Sequence, residues 1–218
     1  MQALTFSIQE RSTRRFLSGF LSSLAYILIF LCKFAEMNVC RRLIRWCEGV
    51  GHGHGFGIQS PFAFDFVTTV INQKWPYYSY EPLKVQFPLC SKEKVELGRL
   101  LFRLANFIQP KTVYFDKKLP TPYLSYIQAG CRRVITVNSD ISADLFCVSI
   151  SDDVNKLVGL VGPLSVGIVF DIYKNKKNEQ QWNNLLSSDK VRVSFDLYHL
   201  GLVFFDSTFL KHHYLLNF

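Results

Sequence analysis

The second half of the chain alternates short apolar runs, rich in β-branched and aromatic residues, with polar stretches that fit helices. The runs that predict strands are residues 112–115, 134–137, 145–150, 166–170, 191–197 and 202–205. Runs this apolar, separated by helical stretches such as 153–161 and 178–186, are typical of parallel strands buried on both faces. The last two are joined by residues 198–201 alone, which is too short for a crossover helix and predicts an antiparallel pair. We therefore expect an α/β fold with a mostly parallel sheet, helices on both faces and a C-terminal antiparallel hairpin.

Two helices are predicted ahead of the first strand. Ser60 is a suitable N-cap and Pro61 suits the first helical position, so a helix should begin there and continue through the apolar residues that follow. A second helix is predicted over 92–108, where leucines recur at spacings of three and four after the capping residue Ser91. The aromatic segment 75–83 between them predicts a loop or turn.

An uncharged apolar run extends from Phe16 to Cys32, bounded by Arg14 and Arg15 on one side and Lys33 on the other. As a helix it would be about 25 Å long, at the short end of what a bilayer core requires. It fits a membrane anchor, a helix packed on the domain or on a partner, or a signal peptide, although no small-x-small cleavage site follows it. Translation from Met37 would remove the run altogether. We treat residues 1–50 as an N-terminal extension.

Charge and cysteine content restrict the partners and the compartment. The net charge is +8, and residues 1–50 contribute seven basic against three acidic side chains. Because this excess flanks the apolar run, it suits a membrane surface at least as well as a phosphate backbone, and nucleic-acid binding is not expected. The six cysteines include no CxxC pair, which favours a reducing compartment without a disulfide framework. The expected location is the cytoplasm, or the cytoplasmic face of the inner membrane if the run is an anchor.

Metal binding is not expected either. His52 and His54 are two residues apart in a glycine-rich loop, and no third ligand accompanies them in the sequence. The adjacent His212 and His213 are interpreted as surface residues.

Four segments carry a resemblance to a known family: HGFGIQSPFAFDFVTTVI (54–71), LLFRLANFIQPKTVYF (100–115), VFDIYKNKKNEQQW (169–182) and FDLYHLGLVFF (195–205). In this order they resemble bacterial class I S-adenosylmethionine-dependent methyltransferases that open with a histidine-glycine loop and an SPF motif. The resemblance implies a methyltransferase-like domain over 51–218, with a Rossmann-like sheet that holds S-adenosylmethionine above its carboxyl edge.

The resemblance also implies which residues would contact the cofactor. Family members follow the first strand with an acidic residue and a glycine-rich turn; this chain has Asp116 followed by two lysines, two prolines and no glycine. The second strand of the family ends in an acid that binds the ribose, where this chain has Asn138, with Asp140 two residues on. Loss of the charge-assisted hydrogen bonds would cost about 1–3 kcal/mol. Asp171 matches the aspartate that the family places at the active-site rim.

The candidate cofactor-binding residues are therefore Asp116, Asn138, Asp140 and Asp171, and no catalytic residue is assigned. The stretch before Leu145 is short, as if a helix and a strand of the family were missing, so the middle of the domain should be contracted. These departures favour a methyltransferase-fold protein with weakened or lost cofactor binding and a binding or scaffolding role. The alternative is an active methyltransferase with a remodelled pocket and an unknown methyl acceptor. The sequence identifies no protein partner.

Overall fold

The computed structural model of the chain describes residues 58–138, 142–150, 161–216 and Phe218. The described α-helices are α1 (Pro61–Phe66), which continues into a π-helical turn (Val67–Ile71), α2 (Tyr80–Gln86), α3 (Lys92–Ile108), α4 (Thr121–Gly130) and α5 (Lys176–Ser187). The described strands are β1 (Thr112–Phe115), β2 (Ile135–Val137), β3 (Leu145–Ser149), β4 (Val166–Phe170), β5 (Val193–Asp196), β6 (Leu200–Phe204) and β7 (His212–Leu215).

The strands form one seven-stranded sheet in the order β2-β1-β3-β4-β6-β5-β7. Neighbours pair in parallel except around β6, which lies antiparallel between β4 and β5. This arrangement confirms the expected fold class, a Rossmann-like mostly parallel sheet with a C-terminal antiparallel hairpin. The chain passes from β2 to β3 through residues 138–144 only, which is the expected contraction.

Local sequence determines where the first helices begin. The Ser60 hydroxyl accepts a hydrogen bond from the Ala63 amide at 3.3 Å, and the Ser91 hydroxyl accepts one from the Lys94 amide at 3.3 Å. Both predicted caps are confirmed, as are the bounds of α3. The prediction of a loop or turn over 75–83 is wrong in its second half, because α2 begins at Tyr80 and packs its buried face on α3.

Two structural elements were missed by the sequence analysis. From the sequence, the prolines after β1 were expected only to disrupt the glycine-rich turn. In the structure, Pro120 and Pro122 instead begin α4, because the amides of a helix's first turn have no partner within the helix and a proline there costs no hydrogen bond. His212 and His213 were interpreted simply as surface residues; both are exposed, but they belong to β7, which pairs with β5. A four-residue edge strand with one buried residue, Tyr214, has too little apolar pattern to be recognised.

The sheet has an apolar core on each face. Along β4, Val166, Ile168 and Phe170 join the core beneath α1, α3 and α4, whereas Val169 joins the core beneath α5. This division follows from the alternation of side chains along a strand. The fully buried Trp182 of α5 fills the second core.

None of the helices in the described ranges is long and apolar enough to cross a membrane. The run from Phe16 to Cys32, the histidines at 52 and 54, and most of the predicted helix at 153–161 lie outside the described residues.

Candidate functional site

A pocket of about 440 Å³ opens at the carboxyl edge of the parallel strands. Its walls come from the first turn of α3, the β1–α4 connection, the ends of β3 and β4, and the tip between β5 and β6. Open α/β sheets bind ligands at this edge, beside the point where the strand order reverses, which is here the junction of β1 and β3. The pocket is therefore the candidate functional site.

Asp116 forms the turn that closes one wall of the pocket. Its amide donates to the Cys147 carbonyl at 2.9 Å and thereby ties the end of β1 to β3. Its carboxylate accepts the Lys118 amide at 3.0 Å, and its carbonyl accepts the Leu119 amide at 3.0 Å. Pro120, the next residue, has no amide hydrogen. Lys118, Leu119 and Pro120 line the pocket, while the amides of Asp116, Lys118 and Leu119 donate within the protein.

Asn138 lies apart from this pocket. It follows β2, the edge strand of the sheet, and its side chain is exposed and does not line the pocket walls. Asp140 lies outside the described residues. Of the candidate residues in the described ranges, Asp171 lines the pocket, Asp116 supports the turn whose next residues line it, and Asn138 does neither.

Asp171 stands at the rim, directly after β4. Its backbone adopts the left-handed conformation, with φ of 61°, and its side chain is 48% exposed. The Asp171 amide donates to the His199 carbonyl at 3.3 Å, and its own carbonyl accepts the Asn178 side-chain amide at 2.8 Å. Its carboxylate lies 3.9 Å from the Lys174 ammonium group. These contacts hold an acidic group at the mouth of the pocket in a strained backbone geometry.

Glu93 and His199 form an acid–base pair at the pocket that the sequence did not predict. The His199 Nε2 atom lies 2.5 Å from the Glu93 carboxylate. Glu93 belongs to the first turn of α3 and His199 to the tip between β5 and β6. They meet because β6 is inserted beside β4, which brings its tip to the carboxyl edge of the parallel strands. No local pattern in the sequence links residues so far apart.

Tyr123 of α4 supplies a neutral hydroxyl group to the pocket. Its buried ring stacks on Phe170 with centroids 5.5 Å apart. Burial and, to a lesser extent, the nearby carboxylates of Glu93 and Asp171 together raise the pKa of Tyr123 to about 12. The phenol therefore stays protonated at neutral pH, where it can donate a hydrogen bond to a ligand.

The pocket thus combines three lysines, Lys94, Lys118 and Lys174, with a histidine–glutamate pair, a rim carboxylate and a tyrosine. Such a set can bind a polar or anionic ligand and can exchange protons with it. No group of three or more histidine, cysteine, aspartate or glutamate side chains is placed to hold a metal ion in the part of the chain that the structure describes.

Comparisons with known proteins give structural matches alone. No family matches the sequence, and no curated protein matches it. The structure is similar to the SAH-bound methyltransferase of Podospora anserina, with a TM-score of 0.42 and 10% identity over 79% of this chain and 97% of that chain. It is also similar to a methyltransferase from Geobacter sulfurreducens, with a TM-score of 0.36 and 10% identity over 62% of this chain and 93% of that chain.

Proposed function

We propose that the chain is a ligand-binding protein built on a class I methyltransferase fold, a divergent relative of the bacterial proteins with the HG…SPF motif, and that it has lost productive binding of S-adenosylmethionine. The sheet order and the carboxyl-edge pocket support the fold assignment, together with the four segments that resemble that family. The loss of cofactor binding rests on the residues that replace the family's contacts.

The turn after β1 is the observation that carries this proposal. A glycine-rich turn holds such a cofactor by presenting backbone amides at short range. In this chain the amides of Asp116, Lys118 and Leu119 all donate to oxygen atoms within the protein, and Pro120 has no amide to donate. The residues present in this turn therefore do not fit S-adenosylmethionine.

The residue at the second cofactor contact is also changed, and among the described residues no acid after β2 lines the pocket. The family's ribose-binding acid is replaced by Asn138, an exposed amide that does not line the pocket. The turn after β1 and the residue after β2 thus each differ from the cofactor contacts that the resemblance implies. What remains at the pocket, including Lys118, Lys174 and the protonated Tyr123 hydroxyl, suits a polar or anionic ligand.

Calorimetric titration of the full chain with S-adenosylmethionine, and separately with its demethylated product, tests the proposal. We expect no saturable heat and no thermal shift at millimolar ligand. Saturable binding at micromolar concentration would overturn the proposal.

The variant Asn138→Asp distinguishes the effect of the replaced acid at residue 138 from the effect of the turn after β1. If the missing acid were the sole defect, this change would restore binding. We expect no recovery, because residue 138 does not face the pocket and the amides of the turn stay committed within the protein.

The alternative is an active methyltransferase with a remodelled pocket. The observation that favours it is the Glu93–His199 pair, which lines the same pocket as Asp171, since positioned acid–base groups at a pocket can assist transfer to a nucleophile. Steady formation of the demethylated cofactor by the full chain, abolished in Glu93→Gln, would establish this alternative. No product formation in any arm would exclude it.

Membrane association is proposed from the sequence alone. The uncharged run from Phe16 to Cys32 between basic residues suits an anchor at a cytoplasmic membrane face. Fractionation of the full chain tests this, and recovery of all protein without detergent would refute it.

A further inference from the structure

A second pocket, of about 370 Å³, lies away from the sheet edge. It is formed by residues 73–77, by α2 and by the middle of α3. This volume is ample for a compound with one or two rings. The second pocket and the carboxyl-edge pocket share no lining residue.

Arg103 brings a buried positive charge to this second pocket. Its side chain is 5% exposed, and it makes three hydrogen bonds. Nε donates to the Val70 carbonyl at 2.6 Å, Nη2 donates to the Ile71 carbonyl at 3.2 Å, and Nη1 lies 3.3 Å from the Tyr80 hydroxyl. Guanidinium has five N–H donors, so two remain for a ligand. The carbonyls at the end of the π-helical turn fix the group in position.

No described residue neutralises this charge. In the described ranges, no carboxylate lies within ion-pair distance of Arg103. Burial raises the pKa of Tyr80, against the opposing effect of Arg103, so its hydroxyl stays neutral. A buried cation with only neutral partners is costly, and an anion at the pocket would relieve that cost.

The acidic residues of this pocket are engaged by a different arginine. Glu96 lies 2.8 Å from Arg99, and Glu81 lies 3.9 Å from it. Lys74 also lines the pocket and is exposed, so the lining carries three positive charges, Lys74, Arg99 and Arg103, against the two carboxylates. The balance of charge in the pocket is therefore positive.

The outer wall of the pocket is aromatic. Trp75 is 72% exposed and lines the pocket together with Tyr77. A tryptophan this exposed presents a large apolar face at the outer margin of the pocket. An aromatic ring of a ligand would stack on that face.

We propose that the second pocket binds an aromatic acid, with the ring against Trp75 and the carboxylate or phosphate group on the free N–H donors of Arg103. The anionic group of the ligand would neutralise the buried charge of Arg103, and its ring would cover the exposed face of Trp75. Lys74 lies at the exposed margin, where it attracts the anion.

Titration of the full chain with benzoate and with phenyl phosphate tests the proposal, using calorimetry and tryptophan fluorescence. Benzamide serves as the neutral ring control and inorganic phosphate as the control without a ring. We expect saturable binding of at least one aromatic acid and at least about tenfold weaker binding of benzamide, because a charge-assisted hydrogen bond is lost. If benzoate binds more tightly, the preferred anionic group is a carboxylate; if phenyl phosphate binds more tightly, it is a phosphate.

Variants assign the binding to this pocket. Arg103→Gln should abolish it, whereas Arg132→Gln, at an exposed position in the turn before β2, should leave it unchanged. Since Arg103 also supports the π-helical turn, Trp75→Ala and Lys74→Gln provide tests at exposed positions that do not depend on that fold contact. We expect each to weaken binding, Trp75→Ala by about tenfold.

Three results would overturn the proposal. One is the absence of saturable binding by both aromatic acids at millimolar concentration. The others are benzamide binding as tightly as benzoate and phenyl phosphate, and unchanged affinity in Trp75→Ala. Each is independent of S-adenosylmethionine binding at the sheet edge.

Discussion

Gly201 of β6 lies directly against the indole ring of Trp182, and the contact leaves no space for a side chain. A Cβ atom at residue 201 would lie 2.2 Å from the Cη2 atom of Trp182, and 2.6 and 2.7 Å from its Cζ2 and Cζ3 atoms. The ring would have to move by roughly 1 Å to restore ordinary van der Waals separation. Trp182 is fully buried against residues such as Ile172 and Val203, so it has little freedom to move.

We expect Gly201→Ala to lower the free energy of unfolding by about 2–3 kcal/mol. The sign of this change in the free energy of unfolding tests the clash directly, because without a clash alanine in place of glycine within a strand would stabilise the protein by about 0.5–1 kcal/mol. Gly162→Ala is the matched control, since the nearest atom to its Cβ, the Ser165 Oγ atom, lies at an ordinary 3.4 Å. We expect that variant to change stability by less than about 0.5 kcal/mol.

A double-mutant cycle isolates the contact. Trp182→Phe removes the ring atoms that would clash, and it also removes an indole N–H that has no hydrogen-bond partner among the described residues. Alone it should cost about 1–3 kcal/mol through the cavity that it leaves. In the double variant, the new methyl group occupies part of that cavity, so the combined loss should fall short of the sum by at least about 1 kcal/mol.

Urea unfolding followed by circular dichroism measures all four states of the cycle. Additive losses in the double variant would refute the packing argument, as would a stability gain in Gly201→Ala. Either result would mean that Trp182 does not rest on β6 as described.

Further predictions concern the turn after β1, a buried tyrosine and a buried thiol. Asp116→Ala should cost about 1–2 kcal/mol by urea unfolding, because the Lys118 amide loses its acceptor, and an unchanged midpoint would contradict the assigned turn. The pKa of Tyr123 is raised to about 12 from the usual 10, so its stabilising contribution is complete below pH 10 and is lost as the pH rises from 10 to 12. Tyr123→Phe should flatten that decline in unfolding titrations, whereas Tyr78→Phe, at an exposed position, should not. Burial raises the pKa of the Cys147 thiol, so peptide-resolved alkylation at neutral pH should modify it only after unfolding; modification as fast as that of an exposed cysteine would refute this burial.

The bounds of many strands and helices follow from local sequence. The runs that became β1 and β4 match their predicted bounds, and those that became β3 and β6 overlap theirs closely. The helix α3 begins and ends as predicted, because its leucine spacing and its cap at Ser91 act over one or two turns. The antiparallel hairpin was predictable because a short connection leaves room for no other geometry.

Elements with weak local patterns were not predictable. The strand β7 forms because β5 offers an open edge, and its own four residues bury only Tyr214 well. The helix α2 could not be recognised because its first four residues, 80–83, include a proline and continue the aromatic segment before it; the helix is stabilised by packing on α3. Tertiary contacts outweighed local preference in both cases.

The candidate site shows the same division. The sequence by itself determined that Asp116 and Asp171 would stand at strand ends on one sheet edge, because parallel strands place their carboxyl ends together. Only the tertiary structure decided that the amides after Asp116 turn inward, that Asn138 lies off the pocket, and that Glu93 meets His199 across it. The physical reason is range: strand and helix signals act between residues close in sequence, whereas a pocket is made by side chains that only the packing of distant elements brings within a few ångströms.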